Sequence, residues 1–253
     1  MPKKAMVTVS ELGQDPYASV VCYPRSNLSE MQTRILELQE LGVDTIEFSG
    51  KSSAHTLEVL GKGYVGIVVV AYVGGERFAL KMQRIDSDRE NFEREAQLLI
   101  KANRVNVGPK FVAVTKHFLL MQLIDGDLLE EWLEHQTDKA DVRRKVEEIL
   151  EQCWRLDEIS LDHGEISKAP KHLLLDSSGK PYIVDFETAS TTRNASNVTS
   201  VCQFLFQGNS EACRAIAKAL GKRDKVNLVD ALRRYRKKRD RASFEELLKL
   251  CLE

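Results

Sequence analysis

A glycine-spaced segment, Gly61-Lys62-Gly63-Tyr64-Val65-Gly66, runs straight into Ile67-Val68-Val69-Val70 and restricts the fold more than any other stretch of the chain. Glycines at this spacing permit a tight turn and a close approach of backbone to a ligand. The same spacing in a dinucleotide-binding loop has to open a helix. Four consecutive β-branched residues favour an extended strand instead. The segment therefore predicts a strand-turn-strand flap whose backbone can cover phosphates. Gly74-Gly75 between the apolar runs 67–73 and 77–82 is a hairpin signal that adds the next strand.

Around this hairpin the pattern alternates. With 253 residues, 43% of them apolar and 30% charged, the chain can bury a core and has no disordered bias. Residues 1–25 show no period, and Pro16 and Pro24 predict loops or a short edge strand over 18–23. A capping box of Ser29 with Gln32 starts an amphipathic helix that Gly42 stops. Short strands follow over 45–48 and 57–60, with Gly50-Lys51-Ser52-Ser53 as the turn between them. A helix is expected over 89–102 and strands over 111–114 and 118–124. Beyond Gly126 the period becomes helical over 128–135 and through Val142, Val146, Ile149, Leu150, Cys153 and Leu156. Strands over 173–175 and 182–184 interrupt it before helices over 198–206, 211–220, 228–238 and 244–252. This is an α+β chain, divided as a small α/β extension (1–50), a β-rich lobe (51–125) and a helical lobe (126–253).

No apolar run approaches the roughly 20 residues of a membrane span. The Met-Pro-Lys-Lys start leads into no apolar segment, so neither membrane attachment nor a signal peptide is expected, and the compartment expected is the cytoplasm. Five cysteines without a C-x-x-C pair predict reduced core thiols. Residues 221–241 carry ten Lys/Arg against Asp224, Asp230 and Asp240, a net of +7 in a chain whose formal charge is −1. Such a run is either a solvated helix face or an anion-binding surface.

Residues capable of phosphoryl chemistry follow the flap in a fixed order. Phe78-Ala79-Leu80-Lys81 matches the V-A-I-K pattern, in which a strand lysine holds nucleotide phosphates. Within Asn91-Phe92-Glu93-Arg94-Glu95-Ala96, Glu95 lies nearer than Glu93 to the face marked by Phe92 and Leu99, so Glu95 is expected to pair with Lys81. The segment Leu119 to Gly126 resembles a strand and hinge that touch adenine through backbone groups, which would put Met121, Gln122 and Leu123 against the base. Asp162-His163-Gly164-Glu165-Ile166-Ser167-Lys168 resembles a catalytic loop with Glu165 as the base, and Lys168 could offset charge on the transferred group. Position 170 is Pro where a metal-binding Asn would stand. His172 lies thirteen residues before Asp185 of Asp185-Phe186-Glu187, the interval usual for that Asn, so a loop longer by two places His172 beside Asp185 as a metal candidate. Imidazole is an unusual ligand for Mg2+, which leaves phosphate contact or Mn2+ as its other roles.

The order of flap, Lys81, Glu95, hinge, His-Gly-Glu and Asp-Phe resembles the protein kinase-like superfamily, specifically the short atypical kinases grouped with RIO and Bud32 proteins. The likeness is closest to the archaeal RNA kinase (ArkI) family, formerly labelled predicted Ser/Thr kinases. It rests on Leu60 to Gly66, Val107-Gly108-Pro109-Lys110, Asp162-His163-Gly164-Glu165, Lys171-His172, Val184-Asp185-Phe186-Glu187 and Asn197-Val198-Thr199-Ser200, and spans roughly 28–220. The resemblance implies a two-lobed kinase-like fold with a reduced helical lobe. It also implies ATP bound through Gly61–Gly66, Val68, Ala79 and Lys81, a Mg2+ or Mn2+ ion, and tRNA as substrate. That family phosphorylates the ribose 2′-hydroxyl of a uridine at tRNA position 47.

Two features favour RNA over peptide on independent grounds. After Glu187 there is no A-P-E motif and only 66 residues remain, so the segment on which peptides dock in protein kinases is missing. The same residues include Arg233, Arg234, Arg236, Lys237, Lys238 and Arg239, which suit a phosphate backbone. Two alternatives stay open: a kinase for protein Ser/Thr, including its own Thr191, Thr192 or Ser196, and a pseudokinase that binds ATP without turnover.

Overall fold

The computed structural model describes residues 2–88 and 92–253, so the expected helix start at Arg89 and the Asn91 of its motif lie outside the described residues. The chain forms two units: Met1–Gln97 with Lys110–Leu123, and Leu98–Pro109 with Ile124–Glu253. The β-rich and helical character expected of an α+β chain is present, one in each unit.

In the first unit the elements are β1 (Ala5–Thr8), α1 (Tyr17–Val21), α2 (Leu28–Glu40), β2 (Thr45–Phe48), β3 (Ser52–Ala54), β4 (Leu57–Val59), β5 (Gly61–Lys62), β6 (Gly66–Val73), β7 (Glu76–Gln83), the start of α3 (Glu93–Asn103), β8 (Phe111–Val114) and β9 (Phe118–Gln122). An antiparallel sheet runs β1-β2-β6-β7-β9-β8, with β5 pairing onto β6. Because side chains alternate across a strand, Ile67, Val69 and Ala71 of β6 enter one core together with Leu38 of α2 and Ile46 of β2. Gly74 and Gly75 take φ of 58° and 86°, the doubly left-handed geometry of a tight hairpin.

Three local expectations are corrected. The 18–23 stretch is mostly helix, Tyr17–Val21 followed by a turn, and not a loop or edge strand: Asp15 accepts from the N–H and hydroxyl of Ser19 at 3.1 and 2.6 Å, and Ala18, Val20 and Val21 are buried. The cap of α2 is Asn27, whose side chain accepts from the Glu30 N–H, and Ser29 lies inside the helix. Ser52 and Ser53 belong to β3, so the turn falls at His55-Thr56.

Buried polar groups fix α2 against the sheet. Arg34 is 1% exposed, bonds Glu30, and donates to the carbonyls of Val21 and Gln83. Glu37 accepts from the His117 N–H at 2.9 Å and meets its ring nitrogen. Arg34→Met keeps the volume but strands both carbonyls; it should lower stability by about 3 kcal/mol, seen as a fall in Tm.

The second unit contains β10 (Gly126–Leu128), α4 (Leu129–Glu134), α5 (Lys139–Glu158), β11 (Leu173–Asp176), β12 (Pro181–Ile183), α6 (Asn197–Cys202), α7 (Glu211–Leu220), α8 (Lys225–Lys238) and α9 (Arg241–Leu252). α5 is its axis. Asp138 caps it through the Ala140 N–H, and the six apolar residues read from its period are all buried. α9 docks on α5 by stacking Phe244 on Trp154, with Arg241 held by both Glu151 oxygens at 2.8 Å. The five cysteines are unbridged, four of them buried, as expected of core thiols. Among the described residues no helix is long and apolar enough to cross a membrane.

Candidate active site

In the first unit, sheet register builds the group of residues expected from the sequence to hold phosphates. Val68 of β6 lies opposite Lys81 of β7, so the Lys81 stem passes beneath the flap. A Cβ on Gly66 would lie 3.2 Å from Lys81 Cγ and 2.9 Å from the Met82 carbonyl, which explains the third glycine. Lys81 Nζ donates to both oxygens of Glu95 at 2.9 and 3.0 Å, and both side chains are buried. The helical phase that favoured Glu95 over Glu93 thus corresponds to contact. Val65 of the flap is buried with Phe92, Ala96 and Leu119, so its side chain serves packing, whereas Tyr64 is exposed. Gly61 and Lys62 form β5, and the Gly63 N–H bonds the Gly66 carbonyl to close the turn. Arg84, not singled out in the sequence, donates to the Gly63 carbonyl at 3.0 Å and pins the flap tip. Ala79 and Met121 are paired across β7 and β9, and Gln122 exchanges hydrogen bonds with Lys110 ahead of Leu123.

In the second unit the loop of Asp162–Glu165, expected from the sequence to be catalytic, is clasped by the segment after Glu187. Asp162 and Ser190 exchange backbone hydrogen bonds, and Thr188 Oγ1 donates to the His163 carbonyl. Arg193 bonds Asp162 at 2.8 Å and the Thr188 carbonyl at 2.6 Å. Gly164, at φ 91°, has no room for a Cβ, which would meet Arg193 at 2.5 Å. His163 is fully buried; burial first, then His172, pushes its pKa down to about 4, so its neutral ring donates from Nε2 to the Val184 carbonyl. Its edge meets Phe186. Gly108 completes that packing, since a Cβ there would lie 2.9 Å from the Phe186 ring.

Glu165 is partly exposed, and His172 Nε2 lies 3.6 Å from its carboxylate. Lys168 is exposed at a kink in the 3-10 stretch Ile166–Lys171, with its N–H bonded to the Glu165 carbonyl. Asp185 adopts φ 69°, a conformation uncommon outside glycine and frequent at ligand clamps. Its carboxylate and that of Glu187 come within 4.8 Å of one another. Two hard oxygen donors suit Mg2+ or Mn2+. From the sequence, Asp185 is the metal candidate here, and not Glu187.

Below the loop lies a buried carboxylate that the sequence did not reveal. Asp157 of α5 accepts from the Asn197 N–H and side-chain amide at 2.9 and 2.7 Å, from the Val198 N–H, and from the Tyr235 hydroxyl at 2.9 Å. Burial raises its pKa, and these donors oppose the rise. Asn197 in turn accepts from the His163 N–H at 2.9 Å.

The basic run forms the exposed face of α8 and its end. Arg233 pairs with Asp230 and Arg234 with Glu246, both at the surface. Arg236, Lys237, Lys238 and Arg239 are exposed. Among the described residues none of these four forms a salt bridge with a carboxylate, although Asp240 acts electrostatically on Lys238.

Replacing Glu95 by Ala removes the bidentate partner of a buried ammonium. It should lower stability by about 3 kcal/mol in thermal unfolding and abolish the rise in Tm produced by ATP with Mg2+. Lys81→Met with Glu95→Leu should recover stability without recovering that rise.

Comparison with known proteins is consistent with this geometry. A RIO domain model matches residues 71–201. An uncharacterized protein of Methanocaldococcus jannaschii is 33% identical over 86 residues, which is 34% of this chain and 72% of that protein. The domain match extends over more than half of the chain and takes in Lys81, Glu95, Glu165, His172 and Asp185, while the flap glycines and α8 fall outside it. On that match the protein belongs to the RIO domain family, atypical members of the protein kinase-like fold that use ATP and a divalent cation.

Proposed function

We propose that the protein is an ATP-dependent RNA kinase that transfers the γ-phosphoryl group to the ribose 2′-hydroxyl of a tRNA uridine, position 47 by family resemblance. The observation that carries the choice of RNA is the end of α8 and its cap, where Arg236, Lys237, Lys238 and Arg239 are exposed and form no salt bridge among the described residues, with only Asp240 acting electrostatically on Lys238. Such a surface binds a phosphate backbone through counterion release. The path from Glu187 to α6 supports the same choice: it is short and tied back to Asp162 and His163, leaving no free platform for a peptide.

In this reading Lys81, held by Glu95, neutralises nucleotide phosphates beneath the flap, and Met121, Gln122 and Leu123 present backbone to adenine. Asp185 with Glu187 holds the cation, which supplies positive charge at the phosphates. Glu165 takes the proton of the acceptor hydroxyl as the new oxygen–phosphorus bond forms and the bond to the bridging oxygen breaks, its electrons leaving with ADP. The 3.6 Å approach of His172 to Glu165 supports an orienting role in place of the cation contact expected from the sequence. Lys168 offsets charge on the group in transit.

Transfer of label from γ-labelled ATP to total tRNA, beside a generic protein substrate, tests this reading. Expected is an internal 2′-phosphate in nuclease-digested RNA, lost in Asp185→Ala and Glu165→Gln. Label confined to protein would overturn it in favour of a Ser/Thr kinase, and label in neither would favour a module that only binds ATP. Changing Arg236, Lys237, Lys238 and Arg239 to Gln should weaken tRNA binding and flatten its salt dependence by roughly 0.7 for each phosphate no longer neutralised. ATP binding should stay as it was.

A further inference from the structure

The catalytic loop and the basic face of α8 are joined by an unbroken buried chain of hydrogen bonds. Tyr235 lies on the buried side of α8 with Leu228, Ala231 and Leu232, one residue before the cations at 236–239. Its ring packs at a tilt on Phe244, with centroids 6.1 Å apart, and a phenylalanine would fill that space equally well. The hydroxyl does something packing does not require: it donates to Asp157 Oδ2 at 2.9 Å. The other oxygen of Asp157 accepts from the Asn197 amide at 2.7 Å, and Asn197 Oδ1 accepts from the His163 N–H at 2.9 Å. His163 stands two residues before Glu165. Every link is shielded from water, where hydrogen bonds are strong and a missing partner is costly.

We propose that Tyr235 is a positioning residue that fixes the basic helix and the catalytic loop in one register, so that RNA held by α8 presents its hydroxyl to a correctly placed Glu165. This inference rests on the RNA-kinase reading for its consequence in catalysis, while the mechanical link from α8 to His163 is independent of the substrate. Asp157 is the junction of the link. It gathers a donor from α8, two backbone donors from the start of α6 and the side chain that holds the loop.

The test is Tyr235→Phe in the full chain, with Leu232→Ala as a second α8 variant that removes buried volume without touching Asp157. Amide hydrogen exchange at His163 and steady-state kinetics on tRNA are read for both, at a temperature where both are folded. Loss of one hydrogen bond to a carboxylate should speed His163 exchange and lower kcat, each by about tenfold. The Kd for tRNA and ATP binding should remain within about twofold, because the cations and the nucleotide residues are untouched. Leu232→Ala should lower Tm without either effect. Unchanged His163 exchange in Tyr235→Phe, or equal effects from Leu232→Ala, would overturn the proposal. If the native protein labels no RNA but His163 exchange still responds to Tyr235→Phe, the link stands and the RNA reading falls.

Discussion

A carboxylate buried inside a protein has to be surrounded by donors or its burial costs stability, and the second unit is arranged around that requirement at Asp157. The carboxylate takes up the two N–H groups that begin α6, which have no partner within their own helix. It also takes the Asn197 amide and the Tyr235 hydroxyl. Each donor comes with a constraint. Asn197 is turned so that its oxygen faces His163, and His163, neutral because it is buried, reaches Val184 on the approach to Asp185. The loop bearing Glu165 and the segment bearing Asp185 are therefore positioned by one buried carboxyl group.

The first unit handles its critical charge differently. Lys81 stands on a central strand, and register alone sets it opposite Val68 and under Gly66. Glu95 then needs only the right helical phase to meet it. A strand and a helix supply accuracy here, whereas in the second unit the chemical groups sit on irregular backbone and depend on hydrogen bonds for theirs. Arg84 lies between these two styles, an arginine just past β7 that holds the carbonyl of a loop glycine.

Features that depend on period and order were legible in the sequence: the hairpin of β6 and β7, the buried face of α5, the pairing of Lys81 with Glu95, and the α+β division. Features that depend on which polar residue becomes buried were not. Asp157 near a helix end and Arg34 on an amphipathic helix look like solvent-facing charges until the packing around them is known. α1 escaped for a related reason, since five residues next to prolines gain their helix from Asp15 hydrogen bonds to Ser19 and tertiary burial, not from propensity. The basic run was visible as a count of charge, but the neutralisation of Arg234 by Glu246, twelve residues away on another helix, was not. The family match leaves α8 outside its range, so the RNA reading rests on the surface of that helix and on resemblance, and the kinase-like chemistry on the matched core.

β2 covers residues 70–72 on the outer side of β6 in antiparallel register, with Thr45 opposite Tyr72, and β1 covers β2 in turn, with Ala5 opposite Phe48. β6 is an eight-residue strand of almost wholly apolar side chains without proline or inward charge. A chain lacking the first fifty residues would leave residues 70–72 of β6, beyond the part that β5 covers, as an open edge whose N–H and C=O groups could recruit a strand from another molecule. The N-terminal segment thereby acts as a guard against self-association, a duty that belongs to the sheet and not to the chemistry it carries.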